Sequence, residues 1–206
     1  MNNEVRVVIS DLYDRGHVGV VTLQHVLSPE DLHLVRNTIK ANENQFRLLK
    51  FGDATRWDLT DEDFQKYPAL EFCRRNFRRI TESITSVTEI NPVYQERFCI
   101  QFYPEGSSGV KPHRDTEHSV NCVVIFVISG DNAFFAAKDR ACEEVFEFPT
   151  RPGDVVIMRG PRSVKDSLPR PIHYVCEVAK HRYVVICRHV NLERLKIVTE
   201  TPVSSK

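Results

Sequence analysis

From Arg97 to His189 the chain is one short apolar segment after another, and that run constrains the fold more than any other feature. The candidate strands are Arg97–Tyr103, Val120–Ile128, Ala133–Ala137, Val145–Phe148, Val155–Met158, Ile172–Val178 and Tyr183–His189. They are rich in Val, Ile, Phe and Tyr, which suit a pleated, half-buried surface. Turn chemistry separates them at Pro104-Glu105-Gly106-Ser107-Ser108-Gly109, at Ser129-Gly130-Asp131-Asn132 and at Arg151-Pro152-Gly153-Asp154. Strands this short and this regularly spaced predict a β-sandwich or a barrel.

The chain before Asn91-Pro92 is patterned differently. Val5–Ile9 and Gly19–Leu23 read as strands. Ser28-Pro29-Glu30-Asp31 is a helix start, with Ser as N-cap, Pro at the first helical position and acids in the first turn. Leu32, Val35 and Ile39 then share a face. Residues 41–66 are polar and interrupted and read as loops carrying Trp57. After Pro68, the positions Leu70, Cys73, Phe77, Ile80, Ile84 and Val87 step by three or four, the stripe of an amphipathic helix. Arg74, Arg75, Arg78 and Arg79 occupy the opposite face, expected to be solvated or to meet nucleic acid. Helices first and strands later predict an α+β fold with the helices against one sheet. The reading is one domain over 1–206: an N-terminal elaboration over 1–92, a strand-rich core over 93–192 and a tail over 193–206.

Hydrophobic residues make up 41% of the chain, enough for a core. Lys plus Arg and Asp plus Glu are both 28, so the net charge is zero. A nonspecific nucleic-acid coater needs a basic excess to displace counterions, and this chain has none. No apolar run approaches the roughly 18 residues of a membrane helix, and Met1-Asn2-Asn3-Glu4 does not resemble a secretory leader. Six cysteines, none at C-x-x-C spacing, are expected as reduced core residues of a cytoplasmic protein.

The chemistry concentrates in the strand-rich half. His113 and Asp115 are two apart, and in extended chain residues i and i+2 point to one side. His173, 58 residues further on, opens a late strand. Two histidines and a carboxylate make the facial triad of a non-haem Fe(II) site, leaving room for a bidentate cosubstrate and O2. An H-x-D element alone is weak, since chance supplies roughly half an occurrence in a chain of this composition. Context strengthens it. Arg182 lies nine residues past His173, inside a β-branched run. A buried guanidinium needs a partner: either the distal carboxylate of a dicarboxylate held bidentately, or an Asp or Glu on a neighbouring strand.

Taken in order, Gln101-Phe102-Tyr103-Pro104, His113-Arg114-Asp115, Pro152-Gly153-Asp154-Val155-Val156, His173-Tyr174-Val175 and Arg182-Tyr183-Val184 resemble the Fe(II)/2-oxoglutarate-dependent dioxygenases over residues 95–190. The resemblance implies a double-stranded β-helix, or jelly-roll, core. It implies Fe(II) on His113, Asp115 and His173, 2-oxoglutarate held by Arg182 with Tyr103 as a second contact, and O2 as co-reactant. The activity implied is decarboxylation of 2-oxoglutarate to succinate and CO2, coupled to oxidation of a second molecule. Its ligands must be deprotonated, so activity is expected to fall in acid. Val184 stands where related chains often carry Ser or Thr. Collagen-type prolyl hydroxylases use Lys near the position of Arg182. Related halogenases replace the metal carboxylate by Ala or Gly, and Asp115 fills it here. A weaker resemblance to AlkB-type dealkylases rests on Tyr103 and on Arg188, six residues after Arg182, with Gln101 in place of an Asn. It adds Gln101 and Arg188 to the cofactor-binding set.

The substrate expected from this reading is a small molecule such as an amino acid or metabolite. A nucleic-acid dealkylase and a non-catalytic jelly-roll binding protein are the alternatives. Candidate substrate contacts are Asn121, on the strand after Asp115; Arg56 and Trp57, in the segment Phe46–Asp58; and Arg162, in a basic loop with Arg159, Lys165 and Arg170. No membrane partner is expected, and the oligomeric state is left open.

Overall fold

Alternation along the strands sorts apolar residues onto two faces, and two antiparallel sheets result. A computed structural model of the chain describes residues 11–14, 16–49, 53–87, 95–116, 119–160 and 170–191. The strands are β1 (Val20–Leu23), β2 (Arg47–Leu48), β3 (Thr55–Leu59), β4 (Gln95–Tyr103), β5 (Val110–His113), β6 (Ser119–Val127), β7 (Phe134–Ala137), β8 (Val145–Phe148), β9 (Val155–Arg159), β10 (Ile172–Val175) and β11 (Arg182–Val190). The helices are α1 (Pro29–Ala41), α2 (Asp61–Lys66) and α3 (Glu71–Val87). The large sheet runs β1-β9-β6-β11-β4-β3-β2 and the small sheet β5-β10-β7-β8.

The expected helices form for the expected reasons. Ser28 caps α1, its side chain accepting from the Asp31 amide, with Pro29 in the first turn. Phe77, Ile80 and Ile84 of α3 pack with Val35 and Ile39 of α1 on the outer face of the large sheet, against Phe98, Ile100 and Val124. The other face of that sheet meets the small sheet over a second core of Cys99, Ile125, Phe134, Val156, Val184 and Ile186. The functional cavity lies between the sheets.

Residues 41–66 depart from the expectation of loops. They hold a turn of 3-10 helix, β2, β3 and α2. Arg56 pairs with Gln101 and Trp57 with Ile100, so β3 extends the large sheet beyond β4. Thr60 and Asp63 form a reciprocal capping box that starts α2. Alternation over only five residues, amid polar neighbours, hid the strand. Ile172–Val178 is shorter than expected: the register shifts between His173 and Val175, and Glu177 takes φ 53°. The expected strand Val5–Ile9 and the tail over 193–206 lie outside the described residues.

Three of the four arginines of α3 have partners close by, and Arg79 is exposed. Arg74 approaches Asp61 (3.1 Å) and Glu96 (3.7 Å) and lies over the Phe64 ring. Arg78 donates to both oxygens of Glu96 (2.9 and 2.8 Å), and Arg75 covers Phe72. All six cysteines are free, four buried and Cys142 and Cys176 half-buried. Among the described residues no helix is long and apolar enough to cross a membrane.

One glycine couples fold to site. Gly109 enters β5 at φ 77°, and a Cβ there would lie 1.8 Å from the Val175 carbonyl oxygen on β10. Gly109→Ala is therefore expected to force β5 from β10, the strands that carry the two histidines. A loss of at least about 2 kcal/mol in urea unfolding is expected from the left-handed backbone and the clash together. A stability change below a few tenths would contradict this account.

Candidate active site

Strand pairing makes the site. His113 ends β5 and His173 sits directly opposite on β10. Their rings lie 4.3 Å apart, centroid to centroid. Asp115 follows two residues after His113, and one ligand atom from each of the three lies within 4.8 Å of the others. Small side-chain movements bring such a set to the roughly 2 Å bonds of a first-row ion. The orientations suit it. His113 Nδ1 is 2.9 Å from the Lys111 carbonyl, and His173 Nδ1 is 3.5 Å from that of Pro171. A carbonyl can only accept, so with the proton on Nδ1 each ring would keep Nε2 for a metal ion. Phe134 stacks on His173 at 5.7 Å and fixes the ring plane.

Arg114, just past the end of β5 and between the two ligands, turns away from the cavity. It donates from Nε to the Arg170 carbonyl (3.1 Å) and from Nη2 to the Lys138 carbonyl (3.4 Å). Arg170 in turn donates to the Asp115 carbonyl.

The local electrostatics favour metal-ready ligands. Burial pushes His173 down to about 4, against the raising pull of Asp115, so its imidazole is neutral at physiological pH. Burial acts to raise Asp115, but Arg188, His173, His113 and Arg170 more than offset it and hold the carboxyl below its ordinary value. Arg188 Nη1 is 3.7 Å from Asp115 Oδ1, and both side chains are largely buried. Two imidazoles and a carboxylate with open positions suit Fe(II).

The wall opposite the triad is the inner face of β4, β6 and β11. Arg182, Val184, Ile186 and Arg188 alternate along β11, and Gln101 and Tyr103 along β4, into one cavity shared with the three ligands. Arg182 is registered opposite Tyr103. Only 1% exposed, it is among the largest fully buried side chains. Among the described residues no carboxylate pairs with it. Its Nη atoms donate to Thr150 Oγ1 (3.3 and 3.2 Å) and, from Nη1, to the Asn132 carbonyl (3.3 Å); Nε has no partner. Burial lowers its pKa to about 10. A buried cation with a donor left over can receive an anion. The Tyr103 hydroxyl donates to Gln101 Oε1 at 2.7 Å, so these two act as one polar unit beside it.

The structure does not bring every expected contact to the cavity. Trp57 is buried on the helix side of the large sheet, edge-on to Phe46 and Tyr67, and turns away from the cavity. Arg56 is on the cavity side of that sheet but pairs with Asp58 at its rim and does not line the cavity. Asn121 is buried at φ 62° with its amide 3.5 Å from His189 Nδ1, again outside the cavity lining. Arg162 lies outside the described residues. Sequence reasoning missed Thr150 and Asn132, which orient Arg182, and the apolar walls Val184 and Ile186. The walls had a signal, the period of two counted from Arg182; the Arg182 partners come from distant loops and had none.

The two sheets form a double-stranded β-helix core, with two histidines and one carboxylate gathered at its mouth. No protein-family model matches the chain, and no curated protein does. Solved structures match by fold. A prolyl hydroxylase from Trichoplax adhaerens, in complex with a hypoxia inducible factor oxygen degradation domain peptide, gives TM-score 0.71 at 11% identity, over 98% of this chain and 93% of that one. A prolyl-4-hydroxylase from Pseudomonas putida gives 0.70 at 11%, over 91% and 98%. The non-heme alpha ketoglutarate dependent epimerase SnoN from nogalamycin biosynthesis gives 0.65 at 8%, over 98% and 91%.

Proposed function

We propose that the chain is an Fe(II)- and 2-oxoglutarate-dependent oxygenase acting on a small molecule. The observation that carries this reading is the convergence in one cavity of the His113, Asp115 and His173 triad with a buried arginine that has no carboxylate partner among the described residues.

His113, Asp115 and His173 would hold the iron, Arg182 the distal carboxylate of 2-oxoglutarate, and Tyr103 with Gln101 the polar edge beside it. Bound together, iron and 2-oxoglutarate supply oxidising power from O2, with succinate and CO2 as by-products. The protein's part is orientation. Thr150 fixes the Arg182 fork, Arg188 steadies the Asp115 carboxylate, and Val184 and Ile186 keep the cavity wall apolar. The six free thiols support a reducing, cytoplasmic setting, and the continuous cores support a single domain.

Ion pairs of Arg74 with Asp61 and of Arg78 with Glu96 speak against the helix surface as a nucleic-acid contact, although Arg75 and Arg79 stay exposed. The peptide bound by the Trichoplax prolyl hydroxylase favours including peptides among the compounds tested. A succinate-release screen with Fe(II) and 2-oxoglutarate over amino acids, metabolites, peptides and methylated oligonucleotides tests the reading. Stimulation by a small molecule is expected; stimulation by oligonucleotides alone would reassign the substrate.

A further inference from the structure

We infer that Met158 is a modification site: its sulfur takes up an oxygen atom when the centre turns over 2-oxoglutarate with no second molecule in place. The inference rests on the oxygenase reading and goes beyond it, to the fate of an unspent oxidant.

Strand register sets this residue beside the ligands. Met158 lies on β9, paired with Val123 of β6 on one side and with Val20 of β1 on the other. With Val156 it belongs to the core between the two sheets. It lines the cavity that holds the triad and Arg182. It also borders a smaller gap together with Asp115 and His173. That gap has room for about one water. Met158 and two of the ligands are therefore separated by little more than a water molecule.

Chemistry singles the residue out. Among the described residues, neither lining contains another sulfur. A thioether is soft and polarisable, and it accepts an oxygen atom on a lone pair with no bond broken. Its neighbours in the wall, Val123 and Phe134, offer only C–H bonds or a ring. Met158 is 2% exposed, so it is shielded from oxidants in solution. An oxidant formed at the triad needs no path through solvent.

The balance closes on the co-reactants already assigned. 2-Oxoglutarate loses CO2 and gives up two electrons to become succinate, and one oxygen atom of O2 ends in the new carboxylate. The other oxygen bonds to the Met158 sulfur, which gives up two electrons as the thioether becomes a sulfoxide. No proton is consumed or released. The product is polar where the thioether was apolar, and it is reversible by reduction. A substrate filling the cavity receives that oxygen instead, so the sulfoxide records uncoupled turnover.

The test uses the whole iron-loaded chain with 2-oxoglutarate, isotope-labelled O2, catalase to remove free peroxide, and no second substrate. Absorption of the Fe(II)–2-oxoglutarate complex is read first, without oxygen. Its absence overturns the oxygenase reading and this inference with it. With absorption present, peptide mass spectrometry is expected to find one labelled oxygen on Met158, rising with succinate and missing when 2-oxoglutarate is withheld. Met1, the chain's other methionine, is the internal reference and should stay unlabelled. Label on Phe134 in place of Met158, equal label on both methionines, or absorption with no label on Met158 overturns the inference alone. A second measurement needs no turnover. In metal-free protein treated with hydrogen peroxide, Met158 is expected to be oxidised at least about ten-fold more slowly than free methionine, since attack from outside requires a local opening. Equal rates would show that solvent oxidants reach the sulfur and would overturn its assignment to the site's own chemistry.

Discussion

Alanine at His113 or at Asp115 is expected to lower iron affinity and substrate-coupled succinate release by at least about a hundred-fold, since loss of even an outer partner of a metal ligand costs ten- to a hundred-fold. His113 is exposed at the mouth and takes little part in the core, so its removal should leave the unfolding midpoint nearly unchanged. Asp115 differs, because it is the carboxylate beside Arg188. Its loss strands a largely buried guanidinium, and Asp115→Ala is expected to destabilise the protein as well as empty it of iron. Asp115→Asn keeps the shape and separates the two effects. Metal analysis of the purified variants beside their thermal unfolding checks both; iron retained at full stoichiometry in either alanine variant would remove the triad from the account.

Arg182→Met is expected to produce opposite effects on stability and on binding. The side chain is buried with an unpartnered Nε, so its replacement by an apolar chain of similar length should leave the cofactor-free protein as stable or more so. Binding should suffer heavily. Removing one partner of a buried charge pair costs about 2–5 kcal/mol, which is roughly thirty-fold to several-thousand-fold in 2-oxoglutarate affinity. Arg182→Lys should fall between, because an ammonium cannot reproduce the two-pronged contact. Thr150→Val should weaken 2-oxoglutarate less, since it removes only the hydroxyl that orients the fork. Calorimetric titration of 2-oxoglutarate into the metal-loaded variants measures the series. A structural role for Arg182 alone would give the reverse: lower stability and unchanged affinity.

The site's centre was legible because it obeys strand periodicity. Arg182 and Arg188 are even-numbered steps along β11, Asp115 is an even step beyond His113 at the end of β5, and each pair lines the same cavity. The helices were legible through the Ser28 cap and the stripe of α3. What stayed hidden depended on pairing between distant segments. Trp57 is a rare aromatic in a polar stretch, which reads as a binding residue until β3 pairs with β4 and alternation sends it to the helix side. The register shift between β6 and β11 near His189, with Asn121 at positive φ, takes that amide out of line with the cavity. The partners that orient Arg182 and Asp115, namely Thr150, Asn132 and Arg170, come from loops brought near only by the folded sheets.

The central claim is that one cavity binds Fe(II) and 2-oxoglutarate together. It is tested most directly by titrating both into the protein without oxygen and following visible absorption. The account predicts a charge-transfer band that saturates at one equivalent of each, is absent with either component alone, and is lost in His113→Ala. A folded protein that gives no band with both present would contradict it.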